Sequence, residues 1–379
     1  MKRTPLFAAH QKLGGKLIEF GGWEMPVQYT SITEEHLAVR KAAGLFDISH
    51  MGEVLITGQA AETFLNQTLT NDLRKLVVGQ GQYTLMCNEC GGVVDDLYAY
   101  RLAATEYLLV VNASRIDEDV AWLERQLANF PSREHLKLQN VSDTTGAIAI
   151  QGPRVAAFIN QCLAGPSTGG TIVPQVTDLK KNQIARIRFN GHQVWVSRTG
   201  YSGEDGFEVV APSAIIESIW DKVLEAGYSH GLKPAGLGAR DTLRTEACYP
   251  LYGHELDEKT TPMEAGLGFF VALDKGEFTG RSLLAEQKAN GVGKKLVAFK
   301  MTERSAPPRP RYPIWSAGRD SRNIGHVVSG TQSPSLGIGI GMGYVSPDFA
   351  TAETGIEIEI RANRSPALVV RKPIYRKPD

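Results

Sequence analysis

The sequence predicts an α+β protein that ends in a small β-barrel or jelly-roll domain. Three observations carry the prediction. Strand-like alternation and 3–4 helical periodicity follow one another through residues 1–274, without the strict β-α-β order that a parallel sheet requires. Glycine turns join several neighbouring strands as hairpins. Beyond about Asp274, after one more helix, the chain becomes short strands divided by Gly, Pro and Ser, the spacing of a small barrel. The expected division is therefore 1–274 and 275–379.

Composition narrows the partners. The 379 residues carry 41 Lys and Arg against 41 Asp and Glu, and a neutral chain without a dense basic run is not expected to bind nucleic acid. A small anionic ligand held by arginines stays open. No stretch approaches the ~20 apolar residues of a membrane span, and Met1-Lys2-Arg3 opens no apolar signal core. The expectation is a cytoplasmic protein without membrane contact, or a mitochondrial-matrix one if a transit peptide is missing.

In chain order, Phe20-Gly21-Gly22-Trp23-Glu24-Met25-Pro26 reads as a rigid aromatic turn. Ser31-Ile32-Thr33-Glu34 has capping-box spacing, with Leu37, Ala38 and Ala42 as the apolar face of a helix that Gly44 stops. Residues 45–56 read as extended chain with a glycine break, and His50 as a hydrogen-bonded structural histidine. A short helix over 60–69 carries Ala61, Phe64 and Leu65. Residues 82–87 and 93–102 form a hairpin around a Cys-Gly-Gly turn, and 106–113 a buried strand. Ser114 is placed to cap a helix with Ile116, Val120, Leu123, Leu127 and Phe130 on one side. Strands near 146–151, 184–189, 193–197 and 206–210 follow, with helices over 152–163 and 213–226. A helix over 275–291 precedes strands at 296–301, 314–316, 325–329, 338–345, 357–360 and 367–370. The Pro-rich segment 305–311 reads as a stiff surface loop.

Cys87-Asn88-Glu89-Cys90 is formally a C-x-x-C, but Cys162 and Cys248 supply no matching pair, and the motif sits in a turn. Reduced thiols and no metal are expected. Thr199 to Glu208 holds three glycines and three acids, without calcium-loop or phosphate-loop order. Its glycines permit sharp turns or close approach to a flat ligand. Arg240 and Arg244 share a helix face at i, i+4; an ordinary ion-pair network of Arg240 with Asp241 is equally compatible.

The stretch around which the sequence reading is organised is Gly91-Gly92-Val93-Val94-Asp95-Asp96-Leu97-Tyr98-Ala99-Tyr100. Adjacent strand residues face opposite ways, so Asp95 and Asp96 cannot both meet water if one face is covered. One carboxylate then enters a concave, partly dry place as a chemical tool or a satisfied acceptor. An exposed acidic turn is the alternative.

Taken together, these stretches resemble the T-protein (aminomethyltransferase) family of the glycine cleavage system. The carriers are 20–26, Phe46-Asp47-Ile48-Ser49-His50-Met51-Gly52, 91–97, 198–206, Gly238-Ala239-Arg240-Asp241 and Arg371-Lys372-Pro373-Ile374-Tyr375. The resemblance implies a three-lobed cloverleaf of two interleaved sheet-and-helix domains around a central folate channel, plus the C-terminal barrel. It implies transfer of an aminomethyl group from the lipoyl arm of H-protein to tetrahydrofolate, giving 5,10-methylenetetrahydrofolate and ammonia. By the same resemblance Asp96 is the catalytic acid and contacts folate nitrogen 10, assisted by Asn112. Glu208 grips the pterin edge with Arg240 as compensating charge. Met51, Leu55, Tyr83 and Tyr201 wall the channel, and Tyr249 and Tyr375 are further folate-binding candidates. Cys90 stands where the resemblance gives no reason for a cysteine, which raises a question of oxidation sensitivity. Folate-dependent demethylases share the fold implied here. A non-catalytic folate-binding iron–sulfur assembly factor carries a Lys-Gly-Cys signature where this chain has Glu246-Ala247-Cys248.

Overall fold

The computed structural model describes residues 1–377 as two compact units. The first comprises Met1–Met86, Asp95–Arg240 and Lys275–Phe278; the second comprises Cys87–Val94, Asp241–Asp274 and the chain from Thr279 onward.

Two larger sheets and the two-stranded pair Lys16–Phe20 with Trp23–Gln28 build the first unit. The larger has seven strands in the order Gly169–Gly170, Ile184–Phe189, His192–Ser197, Gly206–Pro212, Thr145–Gln151, Ala43–Asp47 and Leu232–Pro234. Only its last pair runs parallel. The helix Ser213–Gly227 covers it, burying Ile216, Ile219, Trp220 and Val223 in one cluster with Ile148, Ile150, Phe207 and Val209. That burial is what the 3–4 spacing along 213–226 predicts. The smaller sheet orders Gly81–Cys87, Val93–Ala103, Glu106–Val111, Gly52–Thr57 and Lys137–Asn140. The helix Ile116–Ala128 belongs with it, burying Ile116, Asp119, Trp122 and Leu123.

Several local readings are corrected. Ser114 caps nothing: it lies in the 3-10 turn Ala113–Arg115, and the helix starts on Arg115 without a side-chain cap. The helix Ile32–Lys41 does start on Ser31, whose hydroxyl accepts from Glu34 N at 3.2 Å. Its buried side is Glu35, His36, Val39 and Arg40, not Leu37 and Ala38, because Glu35 and Arg40 find internal partners. Glu35 accepts from Tyr29 N, Thr30 N and Gly236 N, and Arg40 donates to Glu204 and to Ser202 O. Residues 152–163 break into the turn Val155–Ala157 and the short helix Ile159–Cys162. The helix read over 275–291 begins only at Arg281, after the left-handed Gly280. Lys275 lies before it, donating through Nζ to Leu69 O and Asn71 O. His50 is buried, but its Nδ1 meets no hydrogen-bond partner among the described residues.

The second unit contains a closed six-stranded barrel in the order Lys295–Met301, Gly339–Val345, Asn323–Gln332, Pro313–Ser316, Gly355–Ile360 and Asn363–Val370. Every strand meets one read from the sequence. Phe299, Ile314, Ile356 and Ile358 fill its interior, and closure removes free strand edges. Cys87 to Cys90 form a tight turn in which Asn88 N donates to Gly92 O and Asn88 Oδ1 accepts from Gly92 N. Gly91 holds φ +72° there, and a Cβ on Gly92 would lie 1.9 Å from Glu258 O. The glycine pair is therefore required by backbone geometry and close approach. All four cysteines are free thiols, and Cys90 is exposed.

Candidate functional site

Successive residues of the strand Val93–Ala103 place two carboxylates on opposite faces of one sheet. Asp95 is fully buried. It accepts from Asn112 N at 3.0 Å and from Asn112 Nδ2 at 2.8 Å. Asp96 is half-buried: the Tyr83 hydroxyl donates to Oδ2 at 2.9 Å, and Asn112 Nδ2 donates to Oδ1 at 3.0 Å. Asn112 stands at the end of the strand Glu106–Val111 and so ties both acids together. Alternation leads to one enclosed carboxylate; Asp95 is the fully enclosed one, and Asp96 stays half-buried. Burial first, and then the neighbouring Asp95 charge, push Asp96 up to about 7. Burial also raises Asp95.

Glu208, on the strand Gly206–Pro212, faces a cavity enclosing about 40 Å³ of water-accessible space. Tyr100, Leu108, Trp195 and Val210 provide its flat and apolar walls, with Met51, Glu53 and Arg240 also lining it. Thr199 Oγ1 donates to Glu208 Oε2 at 2.5 Å and is itself within 3.0 Å of the Tyr100 hydroxyl. Burial raises Glu208, opposed by the Thr199 hydrogen bond and the Arg240 charge. The Arg240 guanidinium lies 4.5 Å from the centre of the Tyr201 ring, a cation–π contact. Burial, then the Arg240 charge, lower His50 to about 4, so the imidazole is neutral.

The residues singled out from the sequence thus fall into connected groups. Tyr83, Asn112 and Asp96 are joined by hydrogen bonds, and Met51, Glu208 and Arg240 line one cavity. Tyr201 bridges them, since its phenol acts electrostatically on Tyr83 while its ring lies beneath Arg240. Leu55 packs in the cluster of Tyr100, Leu102, Leu108 and Ile184 that backs the cavity wall. Tyr249 and Tyr375 belong to the second unit, where Tyr249 N donates to Arg244 O and Tyr375 N to Glu246 O. Asp241 pairs with Arg244 at 2.7 Å. Among the described residues no group of three or more His, Cys, Asp or Glu side chains could hold a metal ion.

Reading the sequence alone missed Glu53, Tyr100, Trp195, Thr199 and Asp119. Glu53 is buried, pushed by that burial to about 8, and its Oε1 has no partner among the described residues. Strand alternation could have found two of them: Glu53 shares a face with Leu55, and Tyr100 shares one with Asp96. Nothing local marks Thr199 or Asp119.

Comparison with known proteins gives this geometry a lineage. Residues 6–275 match the family described as GCVT N-terminal domain, and residues 294–376 match the glycine cleavage T-protein C-terminal barrel domain. An aminomethyltransferase of Bacillus cytotoxicus is 46% identical over 382 residues, covering 100% of this chain and 99% of that protein. Another, from Bacillus mycoides, is 45% identical with the same coverage. The crystal structure of glycine cleavage system aminomethyltransferase T from Bartonella henselae superposes with a TM-score of 0.89 at 31% identity, over 99% of this chain and 98% of that one. With both domains matched and near-complete coverage, the chain belongs to the glycine cleavage T-protein family, the aminomethyltransferases of the glycine cleavage system.

Proposed function

We propose that this aminomethyltransferase takes its one-carbon unit from the lipoyl arm of H-protein and passes it to tetrahydrofolate, with Asp96 as the acid-base group. The products are 5,10-methylenetetrahydrofolate, ammonia and dihydrolipoyl H-protein. One observation carries the reading: a half-buried carboxyl, pushed up to about 7 and held at both oxygens by Tyr83 and Asn112. A group poised near neutral pH can take a proton and return it.

The cavity chemistry suits folate. A pterin is flat and presents adjacent N–H donors along one edge, and a carboxylate accepts such a pair in a bidentate manner. Glu208 offers that carboxylate among the aromatic walls, with Arg240 balancing its charge. The orphaned Glu53 Oε1 in the same cavity fits a site that receives a further polar group. Tetrahydrofolate supplies the nucleophilic nitrogen that accepts the carbon. In the reading, ionised Asp96 accepts the N–H of folate nitrogen 10 and orients it, while Tyr83 and Asn112 fix the carboxylate. Met51, Leu55 and Tyr201 wall the channel and exclude water from an iminium-like carbon. Tyr249 and Tyr375 remain further folate-binding candidates. The finer architecture, a three-lobed cloverleaf of two interleaved domains around a folate channel with chain division 1–274 and 275–379, belongs to the same reading. So does a cytoplasmic location; among the described residues no helix is long and apolar enough to cross a membrane.

The test is formation of methylenetetrahydrofolate from aminomethylated H-protein, with a methylated glycine as the control donor. Turnover with H-protein alone supports the reading. Turnover only with the methyl donor assigns the site to demethylation instead.

A further inference from the structure

Behind the acidic strand lies a carboxyl group that the reaction as described does not use. Asp119, on the helix Ile116–Ala128, is fully buried, and neither of its oxygens meets an N–H or O–H donor among the described residues. What faces it is another acid: the carboxyl of Asp95 lies close enough for each to act on the other. Two neighbouring carboxyls buried away from water do not both stay charged, so one of them carries a proton. Asp95 accepts two N–H bonds from Asn112, at 3.0 and 2.8 Å, which stabilise its anion. Asp119 has no such donors, so the proton belongs on Asp119.

We propose that Asp119 is a positioning residue that holds a proton against Asp95, keeping Asp95 anionic so that it anchors Asn112 and repels negative charge on Asp96. The proton stays on Asp119 throughout turnover, and no bond to substrate is made. Three elements meet here: Asp95 and Asp96 on one strand, Asn112 at the end of the next, and Asp119 on the helix. The other charged or titratable groups acting on the array are Arg115 and Glu118 beside Asp119, and Tyr83 beside Asp96. Burial is the leading cause that raises Asp119, to about 11, followed by the Asp95 charge. For Asp96, the Asp95 charge stands second after burial.

The inference rests on Asp96 being the acid-base group, so the test separates the two. Asp119→Leu fills the space without a donor, and Asp119→Asn supplies a permanent N–H to Asp95. The carboxyl carbons of both aspartates are followed by NMR with ¹³C-labelled aspartate, alongside the pH profile of kcat/KM and thermal unfolding to verify folding. Asp119→Leu should let Asp95 take up a proton. The Asp96 titration midpoint and the acid limb of the profile should then both move toward acid by about one pH unit. Asp119→Asn should restore both toward the parent values. An Asp96 midpoint that is the same in the Leu variant as in the parent, or an Asn variant shifted as far as the Leu variant, overturns the proposal. An Asp96 midpoint that moves while the profile does not keeps the positioning role, and the failure then lies with Asp96 as the acid-base group.

Discussion

The Tyr83 hydroxyl donates to Asp96 Oδ2 at 2.9 Å, and this bond opposes the burial and like-charge repulsion that raise the acid. Tyr83→Phe removes the donor and should push Asp96 further up, so less of it is ionised at neutral pH. A hydrogen bond to a charged group contributes about 1.5–3 kcal/mol. The acid limb of kcat/KM should therefore move to higher pH, with a loss of about tenfold or more at pH 7. A profile superposing on the parent's would remove Tyr83 from the site.

Asp96→Ala should cripple turnover while sparing most folate binding, because the proposed role of the carboxylate is at the reacting nitrogen and not at the pterin. Steady-state kcat and a fluorescence titration with tetrahydrofolate separate the two effects. Near-normal turnover would end the assignment of Asp96.

Asp96 also costs stability, and the sign can be worked out. Its folded pKa, about 7, lies above the ordinary value of 3.8, so the favourable contribution present at low pH is lost as pH rises through about 7. Asp96→Asn removes the buried charge. It should raise Tm relative to the parent at pH 8, and the gain should shrink as pH falls below 7 and vanish below about pH 4. Calorimetry at pH 5 and 8 checks this; a gain larger at pH 5 contradicts it.

Glu208→Gln keeps the shape of the side chain but removes the charged acceptor that faces the cavity. Folate affinity should fall by ~1–3 kcal/mol, read as a rise in Kd by calorimetric titration. An unchanged Kd points to another pterin anchor.

In the second unit, the Arg244–Glu255 pair at 2.9 Å is enclosed, with side-chain exposures of 2% and 0%. Arg244 also donates to Ser329 Oγ at 2.8 Å. Arg244→Ala would leave Glu255 charged and buried, and destabilisation of about 3–5 kcal/mol is expected. Urea unfolding measures it; a loss below 1 kcal/mol would mean that Glu255 is compensated by other groups.

Local pattern along the chain determined the α+β class and the barrel. The strand Lys295–Met301 and the helix Ser213–Gly227 lie within a residue or two of where periodicity puts them, because alternation and the 3–4 spacing are properties of near neighbours. The same alternation marked the Asp95–Asp96 step as the place where acid enters the structure. Only tertiary structure decided what each acid meets. Asn112 reaches Asp96 across a strand pair, Thr199 reaches Glu208 from the loop before its strand, and Asp119 reaches Asp95 from a helix. Helix 32–41 shows the limit in reverse: its polar residues Glu35 and Arg40 turn inward because distant backbone and Glu204 satisfy them. A buried polar group is tolerated only where partners converge on it, and those partners come from segments far apart in the chain. Sequence periodicity therefore set which faces are apolar, while chain closure set which donors each carboxyl meets.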